Sequence, residues 1–237
     1  MNRKIIIQIP FNVQNFNREN ELNEEWITYR LDIFLKYCLK SLINQTNQYF
    51  HTLLRVRNET FPFIQGKLSG ELPDNVIIVS EPSEEYFNTI KKLTQDYDEF
   101  LEVRLDSDDC FVNYYVDLLH NTVISKDTEV LISQNHCCYD IVQQRLAKLF
   151  RLSPPGYALA YKTGDYYQGK RYYLKRGHGG AILLKHQLLE GYTYLNNIHR
   201  KNNQSYFPTE DKAGWENVKE ITGIEKTNIL HSFGIEE

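Results

Sequence analysis

Residues 104–111 read RLDSDDCF, three aspartates in four positions behind an apolar run. Two carboxylates separated by one residue at the end of a strand can point past that end together. Oxygen ligands of this kind suit Mg²⁺ or Mn²⁺, which keeps several waters and binds through one or two carboxylates plus substrate phosphates. A plainer reading of the same residues is a solvated turn in which Asp108 or Asp109 caps the next helix. Other acidic and phosphate motifs fit worse. Counted from Asp106, the sixth and twelfth places of an EF-hand loop hold Phe111 and Asp117 instead of glycine and glutamate. Neither a GxxxxGK[ST] loop nor a GxSxG elbow occurs in the chain.

The elements that must position these aspartates are legible as an alternation. Lys4–Ile9, His51–Val56, Val76–Val79 and Phe100–Leu105 read as strands. Between Arg30 and Leu42, apolar side chains recur in steps of three and one, the stripe of an amphipathic helix. Ser80 or Ser83, with Pro82, Glu84 and Glu85, opens another helix running to about Leu93. The order is therefore β-α-β-β-α-β, then the acidic cluster, then a helix over Phe111–Leu119. Alternation of this kind predicts an open, mostly parallel α/β sheet flanked by helices, with ligands beyond the carboxyl ends of the strands. Asp106, Ser107, Asp108 and Asp109 lie at such an end.

The second half is less regular. Val130–Ser133 and Tyr157–Tyr161 read as strands, Gly164–Gly180 as a long tyrosine- and lysine-rich loop, and Ala181–Leu184 as a short strand. A helix is expected to start at His186–Leu189, and Thr227–Phe233 is expected to form a final strand or flap. We find no convincing domain boundary, so the 237 residues are read as one domain.

Composition narrows the function classes. The hydrophobic fraction is 41%, the charged fraction 24% and the net charge −4, with no lysine- or arginine-rich block, which argues against nucleic acid as the main partner. No apolar run approaches the roughly 20 residues of a membrane span. The short apolar run before Pro10 reads as a strand, and a secretory leader is not expected there. Four cysteines, Cys38, Cys110, Cys137 and Cys138, lack metal-finger spacing, and their scatter suits a reducing cytoplasm. On that reading the sequons at Asn44, Asn58 and Asn203 carry no information.

CLKSLINQTNQYF (Cys38–Phe50), the strand after it and VRLDSDD (Val103–Asp109) resemble the nucleotide-sugar half of GT-A glycosyltransferases. GGAILLKHQLLEGY, followed by PTEDKAGW, is similar to the acceptor half of inverting members, closest to the rhamnosyltransferase-like proteins. The resemblance runs from Lys4 to the tail. It implies a GT-A fold with a nucleotide-sugar half over about residues 1–110 and an acceptor half over 111–237. It also implies a metal-dependent, inverting transfer of a sugar, rhamnose or another hexose, from a UDP-, dTDP- or GDP-linked donor to a carbohydrate or glycoprotein acceptor. Asp108 would bind Mn²⁺ or Mg²⁺ directly, Asp106 would contact the ribose or the ion's waters, and Asp109 would cap a helix or support the others. His231, in ILHSFG, would complete the metal shell; packing beside Leu230 and Phe233 is the alternative. Pro10, Asn58 and Arg104 fall on the nucleotide side. Where many members carry an acidic pair that reads the base, this chain has Arg57, Asn58 and Glu59.

The resemblance puts the base that takes the acceptor's proton at Asp211, with Glu210 beside it; alternatively Thr209–Asp211 caps a helix beginning near Lys212. Lys170, Arg171, Lys175 and Arg176 form a lid over the diphosphate or a solvated face. His178 either lines the acceptor pocket or sits in a turn. Tyr166, Tyr167, Tyr172 and Tyr173 offer faces for sugars or simply pack. Two rival functions are a nucleotidyltransferase, which would normally carry an upstream phosphate loop, and a non-catalytic nucleotide- or sugar-binding module.

Overall fold

The computed structural model describes residues 2–13, 18–81, 83–201, 206–211 and 214–236. Strand β1 (Arg3–Pro10) lies inside the main sheet, and its Ile5, Ile6 and Ile7 are fully buried. A continuous β-branched run of this sort fits a strand covered on both faces. On one side β1 pairs in parallel with β2 (His51–Arg57), which pairs in parallel with β3 (Val76–Glu81). On the other side it pairs in parallel with β4 (Glu99–Arg104).

A second sheet begins where the chain leaves β4. Strand β5 (Cys110–Phe111) follows the acidic turn directly. The later strands are β6 (Val130–Ile132), β7 (Asn135–Asp140), β8 (Arg145–Phe150), β9 (Tyr157–Lys162), β10 (Lys175–His178), β11 (His186–Leu188), β12 (Tyr194–Ile198) and β13 (Glu216–Ile221). The main sheet has the order β11-β6-β9-β4-β1-β2-β3, with β9 antiparallel to both its neighbours. The second sheet runs β13-β8-β7-β12-β5.

Helix α1 (Arg18–Leu22) leads into α2 (Glu24–Ile33), whose N-cap Asn23 accepts the Trp26 N–H at 2.8 Å. The axis continues through a π-helical turn at Phe34–Cys38 into α3 (Leu39–Ile43). Helices α4 (Phe61–Lys67), α5 (Glu85–Thr94), α6 (Tyr115–Asn121), α7 (Thr163–Tyr167) and α8 (Gly223–Ser232) complete the described set. None of the described helices is long and apolar enough to cross a membrane. One core cluster joins Ile5, Ile7 and Val103 of the main sheet to Phe34 and Leu42, and to Phe111, Tyr194 and Leu195 of the second sheet. The opposite face of the main sheet packs Ile6, Leu53 and Phe100 against Tyr86, Ile90 and Tyr166.

The open, mostly parallel sheet flanked by helices is the expected class, and the first four strands stand where the sequence puts them. Several local expectations need correction. β2 and β3 are parallel, so a crossover must join them. It is α4, which hides in FPFIQGK because Pro62 reads as a breaker but sits in the first turn, where a missing N–H costs nothing. The helix expected over Phe111–Leu119 is strand β5 and then α6. Ala181–Leu183 is a 3₁₀ turn and His186–Leu188 a strand, reversing both assignments. The Gly164–Gly180 loop contains most of α7 and β10. The tail is helix α8, not a strand or flap. Strands β7, β8, β12 and β13 went unread; polar positions break their alternation, as in NHCCYD and ENVKEI. Pro82, invoked for the start of α5, and Lys212, invoked for a helix, lie outside the described residues; the chain after them forms α5 and β13.

Candidate functional site

The acidic turn sits at the seam between the two sheets. The Leu105 N–H still bonds the Gln8 carbonyl at 3.1 Å, so the parallel ladder runs to the edge of the turn. The Asp109 N–H then closes back on the Asp106 carbonyl at 3.1 Å, and Cys110 and Phe111 pair antiparallel with β12. A chain that must leave one sheet and enter another within four residues exposes its turn to neighbours from both. Here those neighbours are α2 and the carboxyl end of β12.

The three aspartates have different surroundings. Asp106 is the most open, and its Oδ1 accepts from the Arg104 guanidinium at 2.6 Å, while Arg104 also donates to the Pro155 carbonyl at 3.1 Å. Asp108 is buried. Its Oδ2 lies 3.1 Å from an Arg30 terminal nitrogen and 3.0 Å from His199 Nε2. Burial by itself would raise this carboxyl, but the Arg30 charge and the His199 hydrogen bond prevail and hold it well below the usual carboxylate range. Asp109 is almost fully enclosed. It accepts from Asn196 Nδ2 and the Asn197 N–H, each at 2.9 Å, and from the Tyr194 hydroxyl. Burial, together with Asp108 and Asp106, pushes Asp109 well above the ordinary range. It therefore ties the turn to β12 and caps no helix, since α6 begins only at Tyr115.

His199 takes its tautomer from its neighbours. The Lys201 backbone N–H points at Nδ1 from 3.3 Å, and a backbone N–H can only donate. Nδ1 is thus an acceptor, with the Tyr29 hydroxyl also within 3.2 Å, and the ring proton sits on Nε2, facing Asp108. Arg30 also donates to Ser107 Oγ at 2.8 Å, and its NH1 stands 3.1 Å from His199 Nε2, a contact between two donors.

Among the described residues no group of three or more His, Cys, Asp or Glu side chains is placed to hold a metal ion. Asp108 and His199 nonetheless fit a divalent cation as a pair once the ring proton moves from Nε2 to Nδ1, where the Tyr29 hydroxyl can accept it in place of the long Lys201 contact. Their facing atoms are 3.0 Å apart. That is about the spacing of adjacent corners of an octahedron with bonds of roughly 2.1 Å, and such ions need only one or two protein ligands beside substrate phosphates. Asp106 stands across the turn on its own arginine.

His231 is elsewhere. It is exposed on α8 and lines a groove with Lys40, Asn44, Asn113 and Glu236. Pro10 is buried at the end of β1, paired with Arg55. Asn58 is exposed in the 3₁₀ turn after β2, where Arg57 is committed to a buried ion pair with Glu21 at 2.5 Å. Glu210 and Asp211 are exposed before β13, and Asp211 Oδ1 accepts the Val218 N–H at 2.7 Å. Beside them Tyr206 and Trp215 stack with centroids 4.9 Å apart. Phe207 and Trp215 pack against the cluster of Cys138, Leu149 and Ile198, the last being the residue before His199. Arg171 lies 3.5 Å over the Tyr166 ring and donates to the Tyr166 carbonyl at 2.7 Å, and Tyr172 donates to Ala160, so this part of the basic segment is fastened down. Lys175 and Arg176 are exposed, as is His178, on which Arg104, Asp106 and Arg151 all act electrostatically.

Two residues of this centre escape sequence reasoning. His199 had only a weak signal, a histidine ending YLNNIH, where two asparagines interrupt the apolar pattern. Arg30 had none, because only the packing of α2 against the turn brings it to Asp108.

Among solved structures, S. aureus TarS residues 1–349 with UDP align over 84% of this chain and 61% of theirs, at 14% identity and a TM-score of 0.46. HddC from Yersinia pseudotuberculosis aligns over 83% of this chain and 93% of its own, at 12% identity and 0.43. The inositol-1-phosphate CTP transferase from T. maritima aligns over 83% and 89%, at 10% identity and 0.41. The chain thus spans about three fifths of the TarS 1–349 length. No curated protein matches the sequence. A family model described as "Putative rhamnosyl transferase" matches residues 15–145, more than half of the chain and the whole path from before α1 through the acidic turn, and the chain belongs to that family.

Proposed function

We propose that the chain is a glycosyltransferase that moves a sugar, rhamnose by the family's description, from a nucleoside diphosphate to a hydroxyl of a carbohydrate acceptor. The observation that carries this reading is the Asp108–His199 pair at the carboxyl end of β4, where open α/β sheets bind their ligands. Asp108 and His199 would hold a divalent ion there, and the ion would neutralise the charge that builds on the departing diphosphate. Asp106, held by Arg104, faces the ribose side of the donor, with Pro10 and Asn58 at the neighbouring strand ends. Asp109 keeps the turn closed on β12.

On the acceptor side, Asp211 takes the proton of the attacking hydroxyl. The acceptor oxygen then bonds to the anomeric carbon, and the bond from that carbon to the phosphate oxygen breaks, its electron pair leaving on the nucleoside diphosphate. Because attack and departure occupy opposite faces, the anomeric configuration inverts. The stacked Tyr206–Trp215 pair beside Asp211 offers an aromatic face of the kind on which sugar rings pack. Four free, buried cysteines fit a reducing compartment such as the cytoplasm.

The test is a thermal-shift panel of UDP, dTDP and GDP, each with and without Mn²⁺. One of them should raise the melting temperature by mass action, only with the metal, and Asp108→Ala should remove the shift. A metal-independent shift, or none, would overturn the reading. One observation favours the rival of a non-catalytic module: Asp211 is hydrogen-bonded to the Val218 backbone, a structural task. Asp211→Asn separates the two, because loss of transfer with donor binding intact belongs to a base, and unchanged transfer does not.

A further inference from the structure

Arg30 presents an electrostatic difficulty that the donor site described above does not resolve by itself. Its side chain is only 13% exposed, and the guanidinium is fully charged at any working pH. NH1 reaches Asp108, NH2 reaches Ser107, and Nε is a buried donor with no acceptor among the described residues. The NH1 nitrogen stands 3.1 Å from both Asp108 Oδ2 and His199 Nε2, which is the edge a divalent ion would take. When the ion binds, Arg30 must leave that edge. A buried guanidinium stripped of its carboxylate is strongly unfavourable unless another anion receives it. No other carboxylate of the turn is available, since Asp106 is engaged by Arg104 and Asp109 by Tyr194, Asn196 and the Asn197 N–H. The anion that arrives with the ion is the donor diphosphate, and a guanidinium with an unspent N–H suits phosphate oxygens in a forked geometry.

We infer that Arg30 is a donor-binding residue: it occupies the Asp108–His199 pair before the donor arrives and passes to the diphosphate when ion and donor enter. This rests on the donor-site reading above. It adds a ligand that neither the acidic motif nor the family match assigns.

The experiment compares wild type, Arg30→Gln and Arg30→Lys by calorimetric titration in Mn²⁺. The ligands are whichever of UDP, dTDP and GDP binds wild type best, and the matching nucleoside without phosphates. Arg30→Gln should weaken the diphosphate by about tenfold or more and leave the nucleoside within about twofold, with Arg30→Lys between, since a point charge replaces part of the fork. Equal diphosphate affinity in Arg30→Gln, or matched losses of diphosphate and nucleoside, would overturn the inference and leave Arg30 a purely structural partner of Asp108. Should Arg30→Gln fail to fold, Arg30→Lys carries the same comparison, with a loss of about threefold or more confined to the diphosphate expected. If none of the three diphosphates binds wild type, the donor-site reading itself fails, and this inference falls with it.

Discussion

At the residue scale the three aspartates of RLDSDDCF separate by what each touches. Asp106 is open and held by Arg104, Asp108 is buried against Arg30 and His199, and Asp109 is enclosed by Tyr194, Asn196 and Asn197. Asp108 and Asp109 shift in opposite directions although they are adjacent, because the first has a buried cation beside it and the second has neutral donors and two carboxylate neighbours. Two histidines are now candidates for one role, and they can be separated. His199→Ala should weaken Mn²⁺-dependent nucleoside diphosphate binding by about tenfold or more, as loss of one of two protein ligands to an ion would. His231→Ala, exposed on α8 in the groove it shares with Lys40, Asn44 and Asn113, should leave it unchanged. The check is the same thermal-shift titration, and equal losses in both variants would remove His199 from the proposed shell.

At the element scale, the helix running from Glu24 to Ile43 is not uniform. Its π-helical turn at Phe34–Cys38 contains one residue more than α-helical geometry would use, and it lies between Arg30 and the stretch packed under β5. Deleting the exposed Lys36 should restore α-helical winding. The π turn already absorbs the extra residue, so the residues on either side should stay in rotational register and Arg30 should still face Asp108. We expect helix content by circular dichroism and metal-dependent diphosphate binding both to be retained; lost binding would show that the π turn itself sets the position of Arg30. A second element-level support is Gly156, just before β9. A Cβ there would collide with the Tyr194 ring, whose hydroxyl holds Asp109. Gly156→Ala should destabilise the protein by about 1–3 kcal/mol, the usual range for overpacking. Chemical denaturation measures that directly, and a change below about 0.5 kcal/mol would show that Tyr194 yields freely.

At the scale of the whole molecule, acid stability depends on groups far apart in sequence. His136 on β7 is buried, with an Nδ1 that finds no hydrogen-bond partner among the described residues, and burial, aided by Arg151, pushes it down to about 3. An unfolded histidine titrates near 6.5. Between about pH 6.5 and about 3, the unfolded chain therefore holds a proton that the native state refuses, so stability falls as pH falls, by up to about 1.4 kcal/mol per unit. The Asp108–Arg30 pair acts with the same sign lower down: its contribution is present above the unfolded carboxyl value, near 3.9, and is lost as pH falls below it. His136→Gln should flatten the melting temperature between pH 6.5 and 4.5, the part of the range above the Asp108 window. An unchanged slope there would assign the acid sensitivity to other groups.

What the sequence alone determined follows from short-range physics. The β-branched run of β1, the apolar stripe through α3 and the carboxylates ending β4 each carry their signal within a dozen residues, and together they imply an open α/β sheet with chemistry at a strand end. Helix α4 was not legible, because Pro62 masked it, and only the observed parallel pairing of β2 and β3 shows that a crossover is required there. The second half resisted because its strands are irregular on both faces and are stabilised by partners remote in sequence, as β12 is by β5 and β7. The candidate site divides in the same way. Asp106, Asp108 and Asp109 were legible as a group, whereas their separate surroundings were not. Arg30 reaches Asp108 across 78 residues and His199 across 91. Only the packing of α2 and β12 against one turn could select those two side chains, because contacts of that separation leave no periodic trace in the chain.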